Sequence, residues 1–591
     1  MLGLKKRGVR WTGGPICSGS RQTALVSISY WLKYIFAKQP IEPQVEDPKS
    51  TGFYANDAEY EAFERSKLRG KINPSLLELK HLTYLDLSNN AFEGIPIPQF
   101  LGSIESLRYL NLSNAGFGGL VPHQLGNLSS LRYLNLYADD KDHLHVANLQ
   151  WLSGLSSLEH LDLGNVNRTK ASNWLKVLNT LPSLEKLYLS SCHLPQVPSP
   201  TKLNLSSFTI LDLSSNSFEN GLFDFSWIFQ LKSLVSLDLS HNNFQGCIFH
   251  GLENLTSLTH LDLSNNHFNS SIPDWLYNLN SLQFLNLGSN NLQGLISSAV
   301  GNMSSAVNLD FSWNELEGKI PRSMGNLWYI PDQLCALHSL QVLDLSYNDL
   351  FGSLPRCLSN FSAMVKASDS KDPDTSLAAS IVNVSFFEYT IISRTFFASI
   401  VMKGHMRQYT TTLDLVRSID FSYNSLSGEI PTDVTSLLKL QALNLSHNLF
   451  TGPIPKNIGV MRLLESVDFS FNKLSGPIPE SMSALTFLSD LNLSYNNLIG
   501  QIPLSTQLQS LDSSSYVGNQ LCGSPLPDRC SANGTTDGVG NGSGENDNGF
   551  ETVWFCLGMA YGFAVGFWSV FGLLVFGPFN ISNKFRKLTT P

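Results

Sequence analysis

Leucines return about every 24 residues from Leu82 to about Asn496, in the form L-x-x-L-x-L-x-x-N-x-L/F-x-G-x-I-P. Copies starting at Leu258, Val416, Leu440 and Leu464 show the register through Leu261, Leu263 and Asn266; Ile419, Phe421 and Asn424; Leu443, Leu445 and Asn448; and Val467, Phe469 and Asn472. The x-L-x-L-x segment alternates, which predicts a short strand with leucines inward and the intervening residues on the opposite face. One unit is too small to hide its apolar side, so each must stack on the next and only an array gives a continuous core. Fifteen starts are readable, at positions 82, 107, 131, 158, 184, 208, 234, 258, 282, 306, 340, 416, 440, 464 and 488. The G-x-I-P endings, as in 428–431, 452–455 and 476–479, place a turn-permitting Gly and a strand-breaking Pro on the convex half.

A period of this length and consensus predicts an α/β-type leucine-rich-repeat solenoid, with a parallel sheet on the concave face and an irregular or 3-10 convex side. The ninth-position Asn is expected to be buried and to bond backbone groups of the turn, because a leucine-lined interior cannot leave them unpaired. Ala115, Asp139, Val166 and Cys192 depart from it; Cys192 reads as a buried, inert thiol rather than a reactive one. At the third position, Tyr84, Tyr109, Tyr133 and His160 would stack as an aromatic row about one strand apart and are the candidate ligand contacts; consensus drift is the competing reading. Later repeats place Ser418, Ala442 and Ser466 there. The fifth position is often acidic (Asp86, Asp162, Asp212, Asp238, Asp262, Asp310, Asp344, Asp420, Asp468). Recurrence in most coils makes this a ladder bonded to neighbouring Ser and backbone groups rather than a pair of catalytic carboxylates.

The spacing fails once at length, over 364–412, where a polar stretch (366–374) precedes one rich in β-branched and aromatic residues (381–402). Long loops inside compact arrays are more often functional than decorative, so this island is expected to bind, against the alternative of a spacer. A shorter irregularity at 325–339 suggests a partly deleted repeat. After the last repeat, 511–530 reads as a cap over exposed leucines, stapled by Cys522 and Cys530. Cys335 and Cys357 could pair only if the irregular repeat brings them together, and Cys17 and Cys247 have no clear mate.

Residues 531–551 are rich in Gly, Asn, Ser and Asp and predict a flexible acidic stalk. Residues 552–579 contain no acidic or basic side chain and exceed the roughly 20 residues a helix needs to cross a bilayer, which predicts a single membrane span. Lys584, Arg586 and Lys587 in the short tail (580–591) would stay cytosolic, with the repeats outside. Within the span, Gly558, Gly562 and Gly566 form a narrow strip on which a partner helix can pack, although glycine is also simply common in such helices. Thirteen N-x-S/T sequons precede the span, including Asn127, Asn254, Asn302, Asn360 and Asn383, and support passage through the secretory route. Asn111, Asn444 and Asn492 arise from the strand motif itself, and Asn580 would be cytosolic and unmodified.

Only 15% of residues are charged, and a net charge of −9 without a Lys/Arg stripe argues against nucleic acid. The sequence carries no kinase phosphate loop, no H-E-x-x-H or Cys/His metal spacing and no G-x-S-x-G, so neither catalysis nor a metal or other cofactor is expected.

Taken together, the G-x-I-P repeats, the island followed by four regular repeats, the GNQLCG cap, the acidic stalk, the glycine-bearing span and the short basic tail resemble the plant leucine-rich-repeat receptor-like proteins. The stretch GKINPSLLELKHLTYLDLSNNAF brings the chain close to the fungal-elicitor (ethylene-inducing xylanase) receptor group. The resemblance runs from about Leu68 to Pro591, which gives repeats at 68–363 and 413–510 around the island. It implies a plasma-membrane receptor of plant defence without its own kinase, sensing a protein, peptide or glycan. An adaptor receptor kinase would join through Gly558, Gly562 and Gly566, and a co-receptor kinase through the units spanning 416–496. Residues 1–67 depart from the family: only Cys17 precedes the repeats, no paired-cysteine cap is present, and Lys33 interrupts the one apolar stretch, 24–36. A truncated or misassembled gene is the preferred explanation. Alternatives to signalling are a decoy or inhibitor of secreted microbial enzymes and a non-functional truncated paralogue.

Overall fold

The computed structural model describes residues 64–138, 144–167, 172–195, 203–205, 207–219, 225–320, 334–365, 398–402, 405–409, 415–527 and 529–530. Every readable repeat start contributes one strand to a fifteen-stranded parallel sheet that runs from Tyr84–Asp86 to Asp490–Asn492. Successive strands pair in strict register, as Leu261 with Leu285 and Leu443 with Val467, so that each inward leucine sits on the one before it. Leu261, Leu285 and Val467 have no exposed surface, and the apolar core is continuous from Ile72 to Leu521. The island leaves this sheet unbroken: Val342, Leu343 and Asp344 pair directly with Ser418, Ile419 and Asp420. Within the island, Ala398–Met402 and His405–Tyr409 form an antiparallel pair. Met364, placed by the sequence at the island's first position, instead belongs to the short helix Ser362–Val365 and is buried in the core.

Ninth-position asparagines hold the turns. The Nδ2 of Asn266 donates to the carbonyls of Leu239 (3.0 Å), Leu263 (3.1 Å) and Ser264 (3.1 Å), while its Oδ1 accepts the Phe244 N–H at 3.1 Å. Asn448 repeats the pattern with Phe421, Leu445, Ser446 and the Leu426 N–H. Where the sequence departs, backbone or sulfur substitutes. The Phe92 N–H finds the Ala115 carbonyl at 2.9 Å, and Gly116, at φ +72°, lets the two turns approach closely. Cys192 Sγ lies 3.1 Å from the carbonyls of both Leu163 and Ser190 and is buried, a thiol serving as turn donor.

On the convex side, Pro98, Pro122, Pro355, Pro431 and Pro479 cap short 3-10 turns whose inward residues include Leu101, Leu125 and Leu358. A second parallel sheet of eight strands, from Gln293–Leu295 to Gln520–Cys522, forms one flank of the later repeats. Its Gly428, Gly452 and Gly476 adopt φ of +83°, +74° and +80°, and a Cβ on Gly452 would lie 2.7 Å from Glu429. The last coil is closed by a segment that mimics a repeat. Asn519 donates to the Leu493 and Tyr516 carbonyls, the Tyr516 hydroxyl donates to the Leu508 carbonyl, and a Cys522–Cys530 disulfide ties the segment down. Cys357 is also disulfide-bonded, whereas Cys247 is free and exposed. The expected span at 552–579, the stalk, residues 1–63 and Cys17 lie outside the described residues; among those described, no helix is long and apolar enough to cross a membrane.

Candidate functional site: the concave face

Because strands pair in register, their third positions are brought into one line. Tyr84, Tyr109, Tyr133 and His160 stack face to face, with each successive centroid distance 4.2 Å and interplanar angles of 13°, 11° and 7°. The row ends where Lys186 takes the third position, and His160 meets Tyr188 at a tilt. The three tyrosines are half-buried and His160 is buried. Burial, and for Tyr84 the nearby charge of Asp86, push the Tyr84 and Tyr109 hydroxyls well above the usual phenol range, so both remain neutral donors. Stacked rings hold their rotamers at little entropic cost and offer polar edges to a ligand. Arg108 and Arg132 stand exposed beside them at the second positions, Arg132 paired with Glu159 at 2.9 Å. A second stack, His260 on Phe284 at 4.0 Å, lies deeper in the middle of the sheet; desolvation lowers the His260 pKa to about 3, so this ring is neutral.

The fifth-position aspartates form a ladder fastened to the backbone. Asp262 Oδ1 accepts from the Ser264 N–H (2.9 Å) and hydroxyl (2.7 Å), and Asp212, Asp310 and Asp420 repeat both bonds. Where Asn replaces Asp in the next repeat, its amide bridges the two: Asn444 Nδ2 donates to Asp420 Oδ2 at 2.9 Å. Burial raises the Asp212 pKa to about 8, with the Asp238 charge adding to it, and raises those of Asp238 and Asp262 for the same reason. The geometry suits a rigid floor of carboxylates fastened to the backbone rather than general acid–base chemistry. Among the described residues no His, Cys, Asp and Glu side chains cluster as a metal site.

The sequons separate by position. Asn127, Asn254, Asn302 and Asn360 each end a convex 3-10 turn (His123–Asn127, His250–Asn254, Ser298–Asn302, Arg356–Asn360) and are exposed. Asn111, Asn444 and Asn492 sit on concave strands with their amides donated to Asp86, Asp420 and Asp468. Asn383, Gly558, Gly562 and Gly566 lie outside the described residues.

One feature of the surface escapes a reading of the third and fifth positions. At the eighth position, Trp313, Tyr347, Tyr423, His447, Phe471 and Tyr495 form a second, longer stack along the flank, with centroid distances of 3.6–4.4 Å. The recurring S-W/Y/H/F-N triplets carry its signal.

Residues 64–249 match the family described as leucine-rich repeat region, and 257–279, 281–303, 339–361, 415–437, 439–461 and 463–485 match leucine rich repeat. The chain belongs to the leucine-rich-repeat family. Within it, the chain stands with plant receptor-like proteins of the EIX group. It is 43% identical over 187 residues to receptor-like protein EIX1 of Solanum lycopersicum and 41% identical over 180 residues to EIX2 of the same plant. Those matches take in 31% and 30% of this chain but span only 18% and 17% of the two relatives. A leucine-rich-repeat protein of Leptospira interrogans shares the fold at 21% identity and a TM-score of 0.50, covering 78% of this chain and 95% of its own.

Proposed function

We propose that the chain is a cell-surface receptor-like protein of plant defence, a single-pass membrane protein with its repeats outside the cell. It would sense an extracellular, microbial ligand and signal through partner kinases. The aromatic row of Tyr84, Tyr109, Tyr133 and His160 carries this reading, because it is a preformed, edge-polar contact surface on a solenoid about a third of which is similar to EIX1 and EIX2. In this scheme ligand bound on the concave face or island favours docking of a co-receptor kinase on the repeats spanning 416–496. An adaptor kinase packs against Gly558, Gly562 and Gly566, and the two cytosolic kinases then act on each other by proximity. The chain itself transfers no phosphate.

The full-length chain, expressed in plant cells and challenged with fungal culture filtrate, separates the two roles. Tyr109→Ala with Tyr133→Ala is expected to lower the defence response about tenfold while adaptor-kinase co-precipitation persists, since each truncated ring removes hot-spot contact. Replacing Gly558, Gly562 and Gly566 with Leu is expected to abolish both. A response unchanged by the glycine replacements rejects signalling and favours a decoy.

A further inference from the structure

In eight of the nine earlier repeats the eighth position holds Asn89, Asn114, Asn165, Ser191, Ser215, His241, Asn265 and Ser289, with His241 the one ring among them and all at φ between +49° and +59°; the repeat starting at Leu131 has Ala138 there. Small polar residues tolerate that left-handed conformation, whereas bulky ones are disfavoured there. From Trp313 onward the same slot, still at φ of +51° to +54°, is aromatic in six consecutive repeats. Trp313, Tyr423, Phe471 and Tyr495 are 40–52% exposed, so interior packing does not account for them. The row crosses the island without a gap, with Tyr347 and Tyr423 4.0 Å apart. Phe351, Leu449 and Ile499 on the adjoining flank sheet are exposed to the same degree. No sequon falls on this flank from 313 to 320 or at its equivalents in the five following repeats, 347–354, 423–430, 447–454, 471–478 and 495–502.

We infer that this flank is a homodimer surface, on which a second copy of the chain packs through a two-fold axis passing between the repeats that start at Val416 and Leu440. Seven side chains about half exposed, with the partly exposed Tyr347 and His447 between them, offer on the order of 800 Å², which is about one partner's share of a stable interface. A two-fold contact must be self-complementary, residue against residue. The proposed axis sets Trp313 against the partner's Tyr495, Tyr347 against the partner's Phe471 and Tyr423 against the partner's His447. At the tenth position it sets Asp349 against the partner's Lys473, twice over. Asp349 and Lys473 are exposed, and among the described residues neither has an ion pair within its own chain. The occupant is therefore this chain rather than an unrelated apolar protein, because Asp349 and Lys473, each one repeat in from an end of the row, face each other only in the antiparallel arrangement.

Two differently tagged full-length copies, co-expressed and solubilised in mild detergent, are expected to co-precipitate without added elicitor. Phe471→Asn with Tyr495→Asn, neither of which creates a sequon, should weaken that pairing about tenfold. The earlier repeats already carry Asn at this φ, so the variant should fold, which an unchanged melting temperature of the purified protein verifies. D349K in both copies, or K473E in both, should also weaken pairing, since each places like charges opposite one another. One D349K copy mixed with one K473E copy should restore it. Absence of pairing in the natural chain, indifference to the two Asn substitutions, or a mixed pair no stronger than either single variant would each overturn the dimer.

Discussion

Asn266→Ala is expected to destabilise the solenoid by about 3–5 kcal/mol, visible as a lower and broader thermal transition. The size follows from which groups are left alone. The Leu239, Leu263 and Ser264 carbonyls keep second partners in Asn242, Asn290 and the His241 N–H, so each loses only one of two bonds. The Phe244 N–H loses its acceptor altogether, inside a coil whose leucines exclude water. Asn266→Cys should recover part of the loss, because a thiol already serves as donor at Cys192 in the same slot. Equal melting of the alanine variant and the natural chain would mean that the asparagine ladder does not hold the coils together.

Acidification is expected to stabilise the repeats, raising the melting temperature by on the order of 5 °C between pH 8 and pH 5. Asp212, Asp238 and Asp262 stack without an intervening amide, and burial together with their neighbours' charges raises all three pKa values above 3.8, that of Asp212 to about 8. A carboxyl with a raised folded pKa holds its proton more tightly when folded. Its contribution is complete below about pH 4 and is lost as pH rises through the folded value, about 6 for Asp262, 7 for Asp238 and 8 for Asp212. Asp238→Asn with Asp262→Asn should therefore raise stability at pH 8 and flatten the slope. The substitution fits the site, since Asn111 and Asn444 already accept the Ser113 and Ser446 N–H groups from the same position. A slope of opposite sign, or one unaltered in the double variant, would show that the column is not protonated in this range.

Much of this was legible in the chain because the solenoid's period and its core are the same thing. Strand position, register and the Tyr84 to His160 stack all follow once Leu85, Leu110, Leu134 and Leu161 must superpose. Other features depend on backbone shape that the period does not encode. Ala115 replaces a side-chain acceptor with its own carbonyl only because Gly116 bends the turn. The eighth position lies past the alternating strand, at positive φ, so two-residue periodicity does not say where Trp313 or Tyr495 points. Met364 looks like island by spacing, yet tertiary packing draws it into the core.

In the proposed topology the repeats face the extracellular side, with a convex back open to modification and a concave face and flank kept clear for binding. Glycopeptide mapping of the full-length chain purified from plant membranes tests it most directly. Glycans are expected on Asn127, Asn254, Asn302 and Asn360, with Asn111, Asn444 and Asn492 unmodified because their amides are committed to the aspartate ladder. A chain bearing no glycan at any of the four convex sites, or one modified on the concave strands, would contradict it.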